Sequence, residues 1–245
     1  MANTLIGTAL VAGGASALNM WAERRADSMM LRTSSRPLPA GKMQPREALL
    51  FALAIAVAGL VYLAVSVGPL PALLALITVF GYLMLYTPLK TRTWLCTVVG
   101  AAPGAVPPMI GWAAAVGGLG LGAWLLFAIL FLWQLPHFYA IGWMYRDDYA
   151  RAGFPMLPVI DSSGGRTSFQ VNGTIAALVL VSIAPFARGL AGGVYLAGSI
   201  VLGAAFLAFG IIFARGRDRR SARNLFVFSV CYLPALLALL VFDRV

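Results

Sequence analysis

Three oxygen-bearing side chains recur at a four-residue spacing near the start of the sequence. They are Asn19, Glu23 and Asp27, in the stretch Asn19-Met-Trp-Ala-Glu23-Arg-Arg-Ala-Asp27. Residues four apart in a helix share one face, so the two carboxylates would repel each other unless a cation lay between them. Carboxylate and amide oxygens suit Mg²⁺, which commonly bridges one or two carboxylates to phosphates. The spacing therefore makes this stretch a candidate site for a divalent ion.

A second acidic group, Asp147 and Asp148, lies far along the chain in Tyr145-Arg-Asp-Asp-Tyr149. Basic residues crowd both groups: Arg24, Arg32, Arg36 and Lys42 near the first, Arg146 and Arg151 near the second, and Lys90 and Arg92 between them. Carboxylates that hold Mg²⁺ beside Arg and Lys form the kind of site that binds a diphosphate. The alternative is a set of solvated salt bridges, and the spacing alone does not separate the two interpretations.

The elements that must position these residues are membrane-spanning helices. Of the 245 residues, 61% are apolar and 11% are charged, and the mean hydropathy is +0.88; a soluble domain has about 25% charged residues. The apolar runs have the length of helices rather than of barrel strands. Cys96 and Cys231 both lie in apolar runs, which excludes a disulfide scaffold. The sequence predicts an all-α integral membrane protein.

About 20 apolar residues make one crossing of a bilayer, so the sequence predicts eight spans. They cover residues 3–22, 48–67, 70–86, 95–115, 121–143, 170–190, 192–214 and 223–242. The third span is expected to be short, and Pro103, Pro107 and Pro108 are expected to kink the fourth. No segment is left over for a soluble domain, so residues 1–245 are interpreted as a single transmembrane domain.

The positive charges alternate between the predicted loops. All lysines and arginines except Arg188 and Arg244 fall in loops 23–47, 87–94 and 144–169 or in the segment 215–223. Basic loops stay on the cytoplasmic side of a membrane. These loops, with both acidic groups, are therefore predicted to be cytoplasmic, with both termini facing outward. The net charge of +10 is explained in this way without a nucleic-acid partner.

Longer stretches around these residues resemble a known family. They are Asn19-x3-Glu-Arg-x2-Asp27 with Arg32-Thr-Ser-Ser-Arg-Pro-Leu-Pro-Ala-Gly41, Tyr86-Thr-Pro-Leu-Lys-Thr-Arg-Thr93, Trp133-Gln-Leu-Pro-His-Phe138 and Ala152-Gly-Phe-Pro-Met-Leu-Pro158. Together they closely resemble the protohaem IX farnesyltransferases, a branch of the UbiA superfamily of intramembrane prenyltransferases. The acidic motifs are typical of the superfamily, and the last two stretches are typical of the haem branch.

The resemblance implies a UbiA-type fold, a helical bundle around a central cavity with the acidic motifs at its cytoplasmic mouth. It implies transfer of the farnesyl group of farnesyl diphosphate to a vinyl side chain of haem B, giving haem O, in the inner membrane of a bacterium. The protein partner it implies is a haem A synthase or a terminal oxidase assembly factor. Family members usually have nine helices, so this chain is expected to lack the first.

The resemblance also assigns roles to individual residues. Asn19, Glu23, Asp27, Asp147 and Asp148 would hold Mg²⁺, with Asp27, Asp148 and His137 as catalytic residues. The residues that would bind the diphosphate are basic: Arg24, Arg32, Arg36, Lys42, Lys90, Arg92 and Arg146. His137, the only histidine, lies inside the fifth predicted span beside Trp133, and an ionisable residue there is a functional candidate. The resemblance favours contact of His137 and Trp133 with haem, either at the iron or a propionate or as a base; the alternative for His137 is an interhelical hydrogen bond.

Two other functions remain open from the sequence. One is a prenyltransferase of the same architecture that acts on an aromatic quinone precursor or on chlorophyllide. The other is a secondary transporter, since polar groups at helix ends also suit substrate passage.

Overall fold

The computed structural model describes all residues, Met1–Val245, and it contains helices but no strands. The α-helices are α1 (Ala2–Ala22), α2 (Arg24–Met29), α3 (Pro45–Ser66), α4 (Pro69–Phe80), α5 (Thr87–Leu89), α6 (Cys96–Gly104), α7 (Pro107–Val116), α8 (Leu121–Met144), α9 (Arg146–Arg151), α10 (Leu157–Ile160), α11 (Gly165–Ala187), α12 (Gly193–Gly216) and α13 (Arg219–Phe242). Eight helical segments are long and apolar enough to cross a membrane. The predicted all-helical fold with eight spans is confirmed; the central cavity stays a prediction.

The third span is longer than predicted. Helix α4 continues through a π-helical segment, Gly81–Tyr86, into α5, so the span Pro69–Leu89 has 21 residues. In the π-helical segment the N–H of Thr87 donates to the carbonyl of Tyr82, five residues earlier. The wider turn leads directly into α5, which ends at Leu89, immediately before Lys90. Such π-helical turns occur frequently at functional sites.

The fourth span is broken, as its prolines predict. Helix α6 ends at Gly104 and α7 begins at Pro107. Proline has no N–H to donate to the preceding turn, and its ring clashes with that turn. Pro107 is instead accepted at the first position of α7, where the N–H would have no helical partner.

One compact unit consists of Met1–Ala123 together with Asp147–Met156. Within it α1 and α3 pack closely, because glycines lie where the two backbones approach. A Cβ on Gly14 would lie 2.6 Å from the backbone nitrogen of Ala56, and a Cβ on Gly59 would lie 2.8 Å from the backbone nitrogen of Val11. Small residues of this kind allow membrane helices to pack without a hydrophobic driving force.

The other compact unit consists of Trp124–Arg146 and Leu157–Val245. Three of its long helices, α11, α12 and α13, begin in the same way, with an aspartate that accepts the N–H of the third helical residue. Asp161 accepts from Thr167 at 2.8 Å, Asp243 from Tyr195 at 2.7 Å and Asp218 from Ser221 at 2.7 Å. These carboxylates satisfy N–H groups that have no partner within the helix. The sixth span starts at Gly165 rather than 170, and Asp161 caps its N-terminus.

The carboxyl group of Asp161 also accepts the Thr167 hydroxyl at 2.9 Å and the Ser163 hydroxyl at 3.1 Å. Burial by itself would raise the pKa of Asp161, but the hydrogen bonds from Thr167 and Ser163 hold it below its ordinary value.

The division of the chain into two compact units does not test whether residues 1–245 form a single transmembrane domain, which stays a prediction.

Replacement of Gly14 tests the packing of α1 on α3. We expect Gly14→Val to lower the free energy of unfolding by about 1–3 kcal/mol, because its side chain would overlap the backbone of Ala56. The matched control is Gly13→Val, since nothing lies within 4 Å of a Cβ on Gly13. Thermal unfolding of the purified protein in detergent measures both. Equal midpoints for the two variants would contradict the close approach.

Candidate active site

Three buried carboxylates lie in the first unit, and each has its own basic partner. Glu23 follows the end of α1, Asp27 lies in α2 and Asp148 in α9; their exposed fractions are 8%, 1% and 8%. Burying a charged carboxylate costs several kcal/mol unless it is paired and hydrogen-bonded. The partners are Lys90, Arg36 and Arg151, respectively.

Glu23 is held by Lys90 and Asn19. The Nζ atom of Lys90 donates to Oε1 at 2.9 Å and to Oε2 at 3.0 Å, and the Nδ2 atom of Asn19 donates to Oε2 at 3.2 Å. The Oδ1 atom of Asn19 accepts the hydroxyl of Thr87 at 3.1 Å. This orientation of the amide is required, since turning it would place Oδ1 against a carboxylate. In this arrangement Asn19 positions Glu23.

Lys90 is enclosed by aromatic rings as well as by Glu23. Its Nζ atom lies 5.1 Å from the ring centroid of Tyr86 and 5.2 Å from that of Phe154. Burial would by itself lower the pKa of Lys90, but electrostatic interaction with Tyr86 and with the Glu23 carboxylate, and the hydrogen bond with Glu23, hold it above its ordinary value. Lys90 therefore keeps its positive charge in a largely dry environment.

Asp27 receives both of its side-chain hydrogen bonds from one guanidinium nitrogen. The Nη1 atom of Arg36 lies 3.0 Å from Oδ1 and 2.9 Å from Oδ2. The chain between them is folded back by the hydroxyl of Thr33, which donates to the backbone carbonyl of Asp27 at 3.0 Å. The side chain of Arg36 is 37% exposed whereas Asp27 is almost completely buried, so the arginine lies on the open side of the carboxylate.

The segment that follows Asp27 contacts the second acidic group. The N–H of Leu31 donates to Oδ1 of Asp148 at 3.3 Å, and Arg151 forms an ion pair with the same oxygen. Arg32 donates to the hydroxyl of Tyr149 at 3.1 Å and stacks on its ring. Residues 117 positions apart in the sequence are thus brought together within one unit.

Other predicted site residues are exposed or contact neighbouring aromatic side chains instead of the buried carboxylates. Asp147 is exposed although its neighbour Asp148 is buried, because adjacent residues of a helix point about 100° apart. Arg24 donates to the carbonyl of Trp21 and stacks on its ring, and Arg146 stacks on Trp143. The remaining predicted diphosphate contacts that are exposed are Arg32, Lys42 and Arg92.

Several contact residues were not predicted. Arg151 was noted only as a nearby charge, and its position three residues after Asp148 could have predicted an ion pair on one helix face. Thr87, Tyr149 and Phe154 lie inside quoted motifs, but no periodicity or charge pattern indicates what they contact. Tyr86, which contacts Lys90 through its ring, is the last residue of the π-helical segment, and no sequence pattern predicts that segment.

The oxygen donors of this unit suit a hard ion. The buried acids Glu23, Asp27 and Asp148 supply carboxylates, the oxygen ligands that Mg²⁺ takes. No three acidic, histidine or cysteine side chains lie close enough together to enclose a metal ion by themselves. Mg²⁺ usually keeps several waters and is bound by one or two carboxylates plus substrate phosphates. The donor set fits an ion that arrives with a phosphorylated ligand.

In the second unit, the predicted haem-contact residues Trp133 and His137 form a separate polar cluster with Ser229. The indole Nε1 of Trp133 donates to the backbone carbonyl of Ser229 at 2.7 Å, and Nδ1 of His137 lies 2.8 Å from the Ser229 hydroxyl. The His137 ring stacks on Trp133 and packs at a tilt against Phe226, with centroids 5.0 and 4.9 Å away. The hydrogen bond joins α8 to α13, so the interhelical bond considered for His137 is present.

Comparison with known proteins assigns the class. The model of the UbiA prenyltransferase family matches residues 1–232. The chain therefore belongs to the UbiA prenyltransferase family.

Individual relatives agree with this. The chain is 49% identical over 242 residues to a protein of Solibacter usitatus (strain Ellin6076) named "Protoheme IX farnesyltransferase", covering 99% of this chain and 83% of that protein. The fold of this chain is similar to the apo structure of a UbiA homolog from Aeropyrum pernix K1. The TM-score is 0.70 at 22% identity, and the match covers 96% of this chain and 88% of that one. The fold is also similar to a UbiA homolog from Archaeoglobus fulgidus bound to GPP and Mg²⁺, with a TM-score of 0.65 at 17% identity over 98% and 87%.

Removing one member of the buried Glu23–Lys90 pair should destabilise the protein. We expect Lys90→Met to cost about 3–5 kcal/mol, because Glu23 is left as an uncompensated buried charge, whereas the double variant Glu23→Gln/Lys90→Met should regain most of that loss. The exposed Arg92→Met is the control. Thermal unfolding midpoints in detergent measure all three, and a Lys90→Met variant as stable as the wild type would contradict the pairing.

The same pair sets an expectation for pH. Because the pKa of Lys90 is raised in the folded protein, its contribution is complete below pH 10.5, the ordinary value, and is lost only as the pH rises through the raised pKa. The difference in midpoint between wild type and the double variant should therefore stay constant from neutral pH up to that value. A difference that decays below it would contradict the raised pKa.

Proposed function

We propose that this protein transfers the farnesyl group of farnesyl diphosphate to a vinyl side chain of protohaem IX, releasing diphosphate and giving haem O. The observation that carries the proposal is the set of three buried carboxylates, each paired with an adjacent cation, in a chain of the UbiA family. The relative from Solibacter usitatus, with its printed name and 49% identity, supports the acceptor.

The paired charges suit a diphosphate because the cations can exchange partners. Arg36 and Arg151 are partly exposed beside buried Asp27 and Asp148. When a diphosphate enters with its ion, the guanidinium groups can turn to the phosphate oxygens while the carboxylates turn to the ion. Arginine forms bidentate pairs with phosphate as readily as with carboxylate. Every charge then keeps a partner throughout binding.

Asn19, Glu23, Asp27, Asp147 and Asp148 are the residues we propose to hold Mg²⁺, with Asp27 and Asp148 directly beside the diphosphate. The GPP- and Mg²⁺-bound UbiA homolog supports an ion at such a site. When bound, the ion would offset charge that develops on the leaving diphosphate. Asn19 would contribute by holding Glu23, and Arg24, Arg32, Lys42, Lys90, Arg92 and Arg146 would add positive charge around the phosphates.

The chemistry needs charge stabilisation rather than a protein nucleophile. The bond between farnesyl C1 and its oxygen breaks, and the electron pair leaves with the diphosphate, where the basic side chains stabilise it. The π electrons of the haem vinyl group form the new carbon–carbon bond to C1. Water then adds to the resulting cation and loses a proton, which leaves a hydroxyethylfarnesyl group. Aromatic faces such as Trp112, Trp133, Phe138 or Trp143 would shield the cationic species through cation–π attraction.

We propose that haem B contacts His137 and Trp133, and that the protein works in the inner membrane of a bacterium with its acidic motifs on the cytoplasmic side. The basic loops support this orientation, because Lys and Arg are retained on that side. A haem A synthase or a terminal oxidase assembly factor, which would use the product, is the proposed protein partner.

A substrate comparison tests the reaction. Purified protein incubated with farnesyl diphosphate, Mg²⁺ and haem B should give a product with the mass of haem O, and chelation of Mg²⁺ should abolish it. In a parallel reaction 4-hydroxybenzoate replaces haem B. Farnesylation of 4-hydroxybenzoate alone would indicate the quinone-precursor alternative, and rescue of a haem-O-deficient strain by this chain provides the test in cells.

Two neighbouring acids test the site. We expect Asp148→Asn to lower haem O formation by about 100-fold or more, the scale for loss of a group that stabilises transition-state charge. Asp147→Asn should lower it much less, because Asp147 is exposed whereas Asp148 is buried against Leu31 and Arg151. The rate of haem O formation by each variant is measured under saturating substrates. Equal losses, or full haem O formation by Asp148→Asn, would contradict the proposed site. A transporter would form no haem O in the wild type or in either variant.

A further inference from the structure

Ser229, in the middle of α13, makes three hydrogen-bonded contacts although it was not a predicted site residue. Its side chain is completely buried. The hydroxyl lies 2.6 Å from the carbonyl oxygen of Phe226 and 2.8 Å from Nδ1 of His137, and its own carbonyl accepts the indole N–H of Trp133. One serine therefore contacts both residues proposed to meet haem.

Counting protons fixes the direction of these bonds. A serine hydroxyl has one proton to donate and lone pairs that accept. At 2.6 Å from the Phe226 carbonyl the hydroxyl must donate its proton there, because two oxygen atoms at that distance would otherwise repel each other. The contact at 2.8 Å is then possible only if Nδ1 of His137 carries a proton and donates it to Ser229. The arrangement selects the tautomer of the histidine.

The neighbouring rings keep the imidazole in this orientation. His137 lies nearly parallel to Trp133, at an interplanar angle of 26°, and Phe226 covers it at 33°. Turning the ring over would lose the bond to Ser229, which is the only hydrogen bond of His137. Trp133 is itself fixed, because its N–H is bound to the backbone of Ser229. In the neutral imidazole the Nε2 atom is left with its lone pair unused.

We propose that Ser229 is a positioning residue that holds His137 as the Nδ1–H tautomer and so presents the Nε2 lone pair to the iron of the haem substrate. This rests on the proposed function for the identity of the substrate. Neutral imidazole is the common form of a metal-binding histidine, and a hydrogen bond from its other nitrogen fixes the tautomer and ring orientation and raises the basicity of the ligand. The serine hydroxyl supplies that acceptor.

The tautomer can be measured directly, because the chain has one histidine. In the full-length protein in detergent, with histidine labelled by ¹⁵N in the ring, NMR should show a protonated Nδ1 and an unprotonated Nε2. In Ser229→Ala the Nδ1 atom loses its acceptor, and the signals should shift toward the other tautomer. A wild-type protein with its proton on Nε2 would overturn the proposal, and this measurement does not depend on the stability of any variant.

Haem binding provides the second measurement. Haem B titrated into the wild type without farnesyl diphosphate should give the absorption spectrum of a histidine-ligated haem. Ser229→Ala should weaken this binding by about 10- to 100-fold, the usual effect of losing a residue that supports a metal ligand, and Ser229→Thr should restore it. Ser199→Ala is the matched control, since its buried hydroxyl also donates to the carbonyl three residues earlier, at 2.9 Å, without contacting His137.

The outcomes separate this inference from the proposed reaction. A wild type that makes haem O but shows no histidine ligation, or a Ser229→Ala variant with unchanged spectrum and affinity, would overturn the role of Ser229 and leave the reaction standing. A wild type that ligates haem through His137 but forms no haem O would overturn the reaction and leave the ligation standing. Loss of binding in both Ser229→Ala and Ser199→Ala would indicate general destabilisation and would contradict a specific role.

Discussion

Burying charge in a membrane protein is costly, and that cost explains most of the polar contacts in this structure. A carboxylate taken out of water without a partner costs several kcal/mol, and this chain buries Glu23, Asp27 and Asp148 in a protein built of membrane-spanning helices. Each is matched by a lysine or arginine within ion-pair distance. The local arrangement around the site follows from this pairing: the turn after α2 brings Arg36 back, and the π-helical segment precedes Lys90.

The same pairing shows how a stable resting arrangement would be compatible with the binding site proposed above. A buried pair adds little net stability compared with apolar residues of the same size, so stability alone gives little reason for three such pairs in one unit. Under the proposed function, an ion and a phosphate would take over the two halves of each pair without leaving any charge unpaired. Asn19 and Thr87 add a second layer of hydrogen bonds that orients Glu23.

In the second unit, buried neutral polar groups have hydrogen-bond partners, as the buried charges of the first unit have ion-pair partners. His137, inside α8, forms no ion pair with a carboxylate. Its Nδ1 atom is hydrogen-bonded to Ser229, and its ring packs against Trp133 and Phe226. Helices α11, α12 and α13 of this unit have their N-termini capped by Asp161, Asp243 and Asp218, respectively, which places negative charge where N–H groups lack partners. The imidazole and the helix N-termini of this unit thus have hydrogen-bond partners, as a membrane environment requires.

The eight spans and the break in the fourth could be predicted from the sequence, because an apolar run of about 20 residues has one stable form in a bilayer and proline disrupts a helix. The sequence also indicated which acidic stretches matter, but not which atoms meet. Helix packing sets the pairing of Glu23 with Lys90, the burial of Asp148 rather than Asp147, and the contact of His137 with Ser229. Their partners lie tens of residues apart or differ only in helical phase, and such contacts depend on how the helices pack rather than on any local pattern.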